Sequence, residues 1–149
     1  MDRSVSTSRS LILDQLSFLL DELEAQRPWL HRIPVFQLEA KPMESAPSLF
    51  EMYVNMSRQE WEVHVAELGG PSAPVASLTT LSGVIDHIQK GRRSVLEMLQ
   101  RVSDTDWETA TTGRGIFLAE YAFQITQSDG NFLKAIAERL HESVIKFNQ

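Results

Sequence analysis

Residues 118–147 read LAEYAFQITQSDGNFLKAIAERLHESVIKF, and this stretch decides the fold. Leu118, Tyr121, Ile125, Phe132, Ile136, Leu140 and Val144 recur at three- and four-residue spacing. That period places them on one apolar face of a single long helix. Ser128 lies on the same face between Ile125 and Phe132, with Asp129 beside it. A helix with one apolar stripe must bury it against other elements, and the rest of the chain supplies them.

Three more segments carry the same period. In residues 10–28, Leu13, Leu16, Leu20 and Leu23 form a stripe behind Ser10, a fair N-cap. Pro28 disfavours helix at Arg27, so the helix is expected to bend or end there. The segment from Trp29 to Pro47 holds Pro34, Pro42 and Pro47 and reads as a mostly irregular connection, packed down by Trp29, Ile33, Val35 and Phe36. Ser48-Leu49-Phe50-Glu51 fits a capping box and opens a helix to about Leu68, with Leu49, Met52, Met56 and Val63 inward. Gly69 is a helix stop, and GGPSAP is a turn-rich linker.

Ser77 is expected to open the third helix, in which Leu78, Leu81, Ile85, Ile88, Val95, Leu99 and Val102 line the core. Arg92 falls on that stripe and is expected to pair with a carboxylate facing the core, while Arg93 is a solvated charge. SDTDW from Ser103 reads as a short extra turn, and TATTGRG as a loop into the last helix. No alternating strand pattern, internal repeat or heptad run occurs. The expectation is an all-α chain: one domain over residues 10–149, with helices near 10–28, 48–68, 78–102 and 117–147 arranged as a four-helix bundle. Residues 1–9, polar and Ser-rich, read as a flexible N-terminus.

Composition narrows the function. The chain has 149 residues, 42% apolar and 23% charged, with net charge −6, the balance of an ordinary globular domain. An acidic chain without a Lys/Arg cluster repels phosphate backbones, so nucleic acid is not an expected partner. With no cysteine there is no disulfide, thiolate nucleophile or Cys-ligated zinc. No apolar run has the length of a membrane span and the N-terminus lacks a secretory pattern, so a cytoplasmic location is expected.

The four histidines, His31, His64, His87 and His141, are scattered, with no His-x-x-x-His or His-Glu-x-x-His. Glu60 and His64, four apart, are the nearest thing to a ligand pair, with Asp129 as a third donor; such a pair is more often a solvated surface contact. No metal and no cofactor are expected. Nucleophile elbows and phosphate loops are missing, and Gly113-Arg114-Gly115 reads as a flexible loop. Ser128 is expected to bond back to the carbonyl one turn earlier.

SLFEMYVNMSRQEW, from Ser48 to Trp61, resembles the opening of the second helix in the DinB-like (DinB/YfiT-type) superfamily, Ser-x-x-Glu followed by a metal-binding histidine. SVLEMLQRVSDTDW, a Gly-containing loop and the stretch from Leu118 resemble that family's third and fourth helices. The similarity covers most of residues 10 to 147. It implies an up-down-down-up four-helix bundle in which one connection, Trp29–Pro47 or Gly69–Ser77, runs the length of the molecule. The family's histidine triad falls here on Asn55, Ser128 and Phe132, so the resemblance is to a member with a vestigial metal site. Gln124, Asp129 and Asn131 would join them in a polar cluster that either satisfies its own hydrogen bonds or lines a pocket for a small polar ligand.

The function this implies is a non-catalytic bundle that binds a small molecule or a protein. The alternative is a thiol-cofactor-dependent transferase or isomerase with altered metal ligands, and a third reading is a structural interaction domain. A homodimer is expected, because Phe18, Phe50, Trp61, Phe123 and Phe147 lie off or at the margin of the stripes.

Overall fold

The computed structural model describes residues 3–76 and 78–147, with side chains described for residues 8–76 and 78–142. The helices are α1 (Arg3–His31), α2 (Val35–Glu39), α3 (Leu49–Arg58), α4 (Leu81–Arg101), α5 (Asp104–Thr109) and α6 (Leu118–Phe147). α3 continues without a break into a π-helical segment, Gln59–Val65. The chain is all-helical: among the described residues the only β pairing is an isolated bridge between Thr111 and Phe117.

Named contacts set the helix directions. Arg9, early in α1, donates to the Leu99 carbonyl at 2.7 Å and the Val102 carbonyl at 2.6 Å, at the end of α4. Arg27, late in α1, donates to Ser82 Oγ at 2.6 Å and Asp86 at 2.9 Å, at the start of α4. These two helices are therefore antiparallel. α3 runs with α4, since Leu49 and Tyr53 cluster with Val84 and Ile85 while Glu60 meets Arg92 further along. α6 opposes α3: the Tyr53 and Phe132 rings meet edge to face at 5.5 Å, and His64 meets Tyr121.

It follows that α3 ends at the opposite pole from the start of α4, and the connection from Gly70 to Thr80 must run the length of the molecule. α4 has 21 residues and rises about 30 Å, while an extended chain of that linker's size reaches about 36 Å. Trp29–Pro47 instead joins neighbouring ends, and it contains α2.

The local rules hold at the caps. Ser48 and Glu51 form the reciprocal capping box of α3. Thr80, not Ser77, caps α4, its hydroxyl accepting from Gly83 N–H at 3.1 Å; Ser77 lies outside the described residues, as does the side chain of Val144. Ser103 caps α5, the short turn read from SDTDW.

Four expectations are corrected. α1 begins at Arg3, so Ser10 is inside the helix, and it runs through Pro28 to His31. A proline near a helix end removes one hydrogen bond, and burial of Leu30, seven residues after buried Leu23, holds the last turn. That continuation turns Trp29 outward, 64% exposed, and Val35 and Phe36 are exposed too; Leu30 and Leu38 anchor the segment instead. Val63 is 44% exposed, because the wider π turn carries it off the core face and brings Trp61, His64 and Val65 inward.

The core is in two parts. Leu16, Trp61, Val65, Val95, Leu99, Trp107, Leu118 and Ile125 belong to one apolar cluster. Leu19, Leu23, Leu49, Tyr53, Met56, Ile85, Ile88 and Ile136 belong to the other. Between them, at the middle of the helices, lies a charged layer.

Candidate functional site

That layer is built on Arg92, the arginine that the helical period placed on a core stripe. Its side chain is fully buried. Nε donates to Glu60 Oε2 at 2.7 Å and Nη2 to Glu60 Oε1 at 2.9 Å, a two-pronged pairing. Nη1 and Nη2 both donate to the Asp129 carboxylate, and Nη1 also donates to the Leu16 carbonyl at 2.9 Å. All five guanidinium N–H groups are therefore satisfied. The three partners come from α1, the π segment and α6, and Arg92 itself from α4, so one cluster ties the long helices together at mid-height.

The helix geometry explains this convergence. Glu60 is the second residue of the π segment, and the wider turn puts Glu60, Trp61, His64 and Val65 all inward. Opposite them is Gly91: a Cβ built there would lie 2.8 Å from Glu60 Cγ and 3.1 Å from the Trp61 ring. A hydrogen at this position is what lets α4 approach closely enough for the pair to form. The Trp61 indole N–H donates to the His87 carbonyl at 2.8 Å, sealing the same contact.

Two carboxylates share one guanidinium in this layer. Burial pushes the Asp129 carboxyl above its ordinary range, against the pull of Arg92. Burial disfavours the Arg92 charge as well, but Glu60 and Asp129 outweigh that and hold its pKa above the usual arginine value. His64 stands next to this layer, 4% exposed. Its Nδ1 lies 3.1 Å from the Tyr121 hydroxyl, which also reaches the Val63 carbonyl at 3.4 Å. His64 Nε2 is buried without a hydrogen-bond partner. Burial first, and the Arg92 charge second, lower the His64 pKa to about 4, so the ring is neutral near pH 7. Burial raises the Tyr121 hydroxyl to about 12.

Glu60 and His64 are thus buried, and their reading as a solvated surface pair is corrected. Glu60 and Asp129 turn toward Arg92, and no group of three or more His, Asp or Glu among the described residues is spaced to hold a metal. A guanidinium with no free N–H has nothing left for a ligand, and the chemistry the cluster performs is to join helices.

Asn55, Ser128 and Phe132, where the resemblance would put a histidine triad, lie elsewhere, on the outside of the α3–α6 contact. They line one open groove of about 320 Å³, together with Met52, Met56, Gln59 and Asn131. Asn55 and Asn131 are exposed, Gln59, Ser128 and Phe132 half-buried. Ser128 Oγ accepts from the Gln59 amide at 3.0 Å, rather than bonding back along its own helix. Gln124 is exposed and Asp129 points to the opposite side of α6, so neither belongs to the groove. A second cavity, of about 330 Å³, lies at the pole where α1 ends and α4 begins, lined by Leu30, Ile33, Leu38, Phe50 and Ile85. Its cation, Arg27, is engaged by Glu24, Ser82, Asp86 and Gln89.

Sequence reasoning found Arg92 and its need for a carboxylate but not which ones. It missed the role of Gly91, for which a glycine inside a strong helical pattern was the available signal. No protein family, curated protein or solved structure matches this chain.

Proposed function

We propose that this chain is a DinB-like protein with a vestigial metal site, an up-down-down-up four-helix bundle that binds a small polar molecule without catalysing a reaction. The observation that carries this reading is the groove on the α3–α6 contact, where the three triad-aligned positions converge. They offer a neutral amide, a hydroxyl and a hydrocarbon ring, none of which replaces imidazole at a first-row metal. Two carboxylates near them in sequence, Glu60 and Asp129, are engaged by Arg92. The antiparallel α1–α4 and α3–α6 pairs, with the long connection between α3 and α4, support the topology.

Elemental analysis of tag-free protein tests the reading, with well under one zinc, nickel or iron per chain expected. Adding zinc or nickel should leave the melting temperature unchanged. Stoichiometric metal lost on Glu60→Gln or Asp129→Asn overturns it. That result would favour the alternative, a transferase or isomerase using a thiol cofactor with altered ligands. The buried, unpartnered Nε2 of His64 is the feature on that side.

The reading includes a cytoplasmic homodimer. No described helix is long and apolar enough to cross a membrane. Leu11, Phe18 and Phe123 remain exposed on α1 and α6 and form the proposed contact between copies. Trp61 is buried and drops out of that surface, Phe50 is half-buried, and the Phe147 side chain lies outside the described residues. Light scattering at tens of micromolar should give twice the chain mass, and Phe18→Glu should halve it. A monomer of the parent chain removes the dimer from the reading.

A further inference from the structure

We infer that the α3–α6 groove selects a neutral carboxamide on an apolar body; the inference rests on the binding reading above and names its ligand class. The groove pairs two kinds of surface. Met52, Met56 and Phe132 supply thioether and aryl surface, and the Phe132 ring is held edge to face by Tyr53. Such surface accepts a flat apolar group.

The polar part consists of three primary amides and one hydroxyl. Asn55 and Gln59 are four apart on the continuous α3–π helix, and Ser128 and Asn131 three apart on α6, so each pair shares a face and the two pairs look across the groove. Among the described residues the side chains of Asn55 and Asn131 have no hydrogen-bond partner. Gln59 gives one N–H to Ser128 Oγ, which leaves its carbonyl oxygen and the serine proton unused.

None of the groove's lining residues is charged. A carboxylate or ammonium ion desolvated there meets no counter-charge, which penalises it. A primary amide presents the donor and acceptor together that an opposing Asn or Gln side chain requires. It pairs without leaving either group unsatisfied.

The test uses three probes of one shape: benzamide, benzoate and benzylammonium. Each is titrated into the full chain at millimolar concentration while the side-chain NH₂ resonances of Asn55, Gln59 and Asn131 are followed by NMR. Benzamide should shift these signals saturably, and the two ions should bind at least about tenfold more weakly. Asn131→Leu and Asn55→Leu, both at exposed positions, should each weaken benzamide about five- to tenfold with the backbone spectrum otherwise intact. Absence of a saturable benzamide shift overturns the inference. So does equal binding of the ions, unchanged affinity in both variants, or shifts confined to the cavity around Leu30 and Ile85. A negative result here leaves the metal-free reading standing, since that falls only to stoichiometric metal.

Discussion

Arg92 is a fully buried charge, and a buried ion pair need not add net stability. Removing a guanidinium from water is expensive, and its hydrogen bonds to Glu60, Asp129 and Leu16 do little more than offset that. Breaking the cluster is another matter, because two buried carboxylates would lose their partner. Arg92→Met should lower the unfolding free energy by about 3–5 kcal/mol in urea titrations. Replacing all three charges together, with Glu60→Leu, Arg92→Met and Asp129→Leu, should recover most of the loss. A triple variant no better than Arg92→Met would show that the layer is a net stabiliser.

His64 adds a pH dependence at the same scale. Its folded pKa, about 4, is depressed from the usual 6.5. Below pH 6.5 the unfolded chain takes up the proton more readily, so stability is full above that pH and declines toward pH 4, by roughly 3 kcal/mol at most. The raised Asp129 carboxyl acts with opposite sign, favouring the folded state as pH falls. His64→Gln should remove the decline between pH 6.5 and 4 and leave the Asp129 contribution in place. An unchanged slope in that variant would count against a buried neutral His64.

At the scale of elements, α3 and its π segment decide what the core contains. A regular helix would carry Val63 inward with Met56, as the simple period implies. The π turn instead brings in Trp61, His64 and Val65. This wider turn fits against α4 because Gly91 has no side chain. Glu60 Cγ, the atom a new Cβ would meet, is pinned by its two bonds to Arg92 and cannot swing aside. Gly91→Ala should therefore destabilise by about 1–3 kcal/mol, although alanine is the better helix former by almost 1 kcal/mol. A gain in melting temperature on that substitution would mean that the helices are not in this close contact.

For the whole molecule, the connection between α3 and α4 is the critical length. It is exposed over residues 71–76, and a chain that reaches about 36 Å at most has to cover about 30 Å, so it has little slack. Deleting Ala73, Pro74 and Val75 should prevent α4 from reaching its place, seen as loss of a cooperative thermal transition. Inserting three Gly/Ser residues at the same point should cost less than about 1 kcal/mol, because loop-closure entropy grows slowly with length. Equal tolerance of the two changes would place the long connection elsewhere, in residues 29–47.

The sequence by itself determined the four long helical segments, the capping box of α3 and the presence of one arginine on a core-facing stripe. All of these follow from interactions within a few residues along the chain, where period and side-chain chemistry suffice. Only the tertiary structure decided that Glu60 and Asp129, 32 and 37 residues from Arg92 along the chain, are its partners. It also decided that α1 continues past Pro28, that Trp29 and Phe36 face out, and that the Gly70–Thr80 connection spans the molecule. These outcomes depend on which helix faces meet and in which direction, and a local pattern allows several such arrangements. Packing chose among them, through the volume left vacant at Gly91 and the requirement that every N–H of a buried guanidinium find an acceptor.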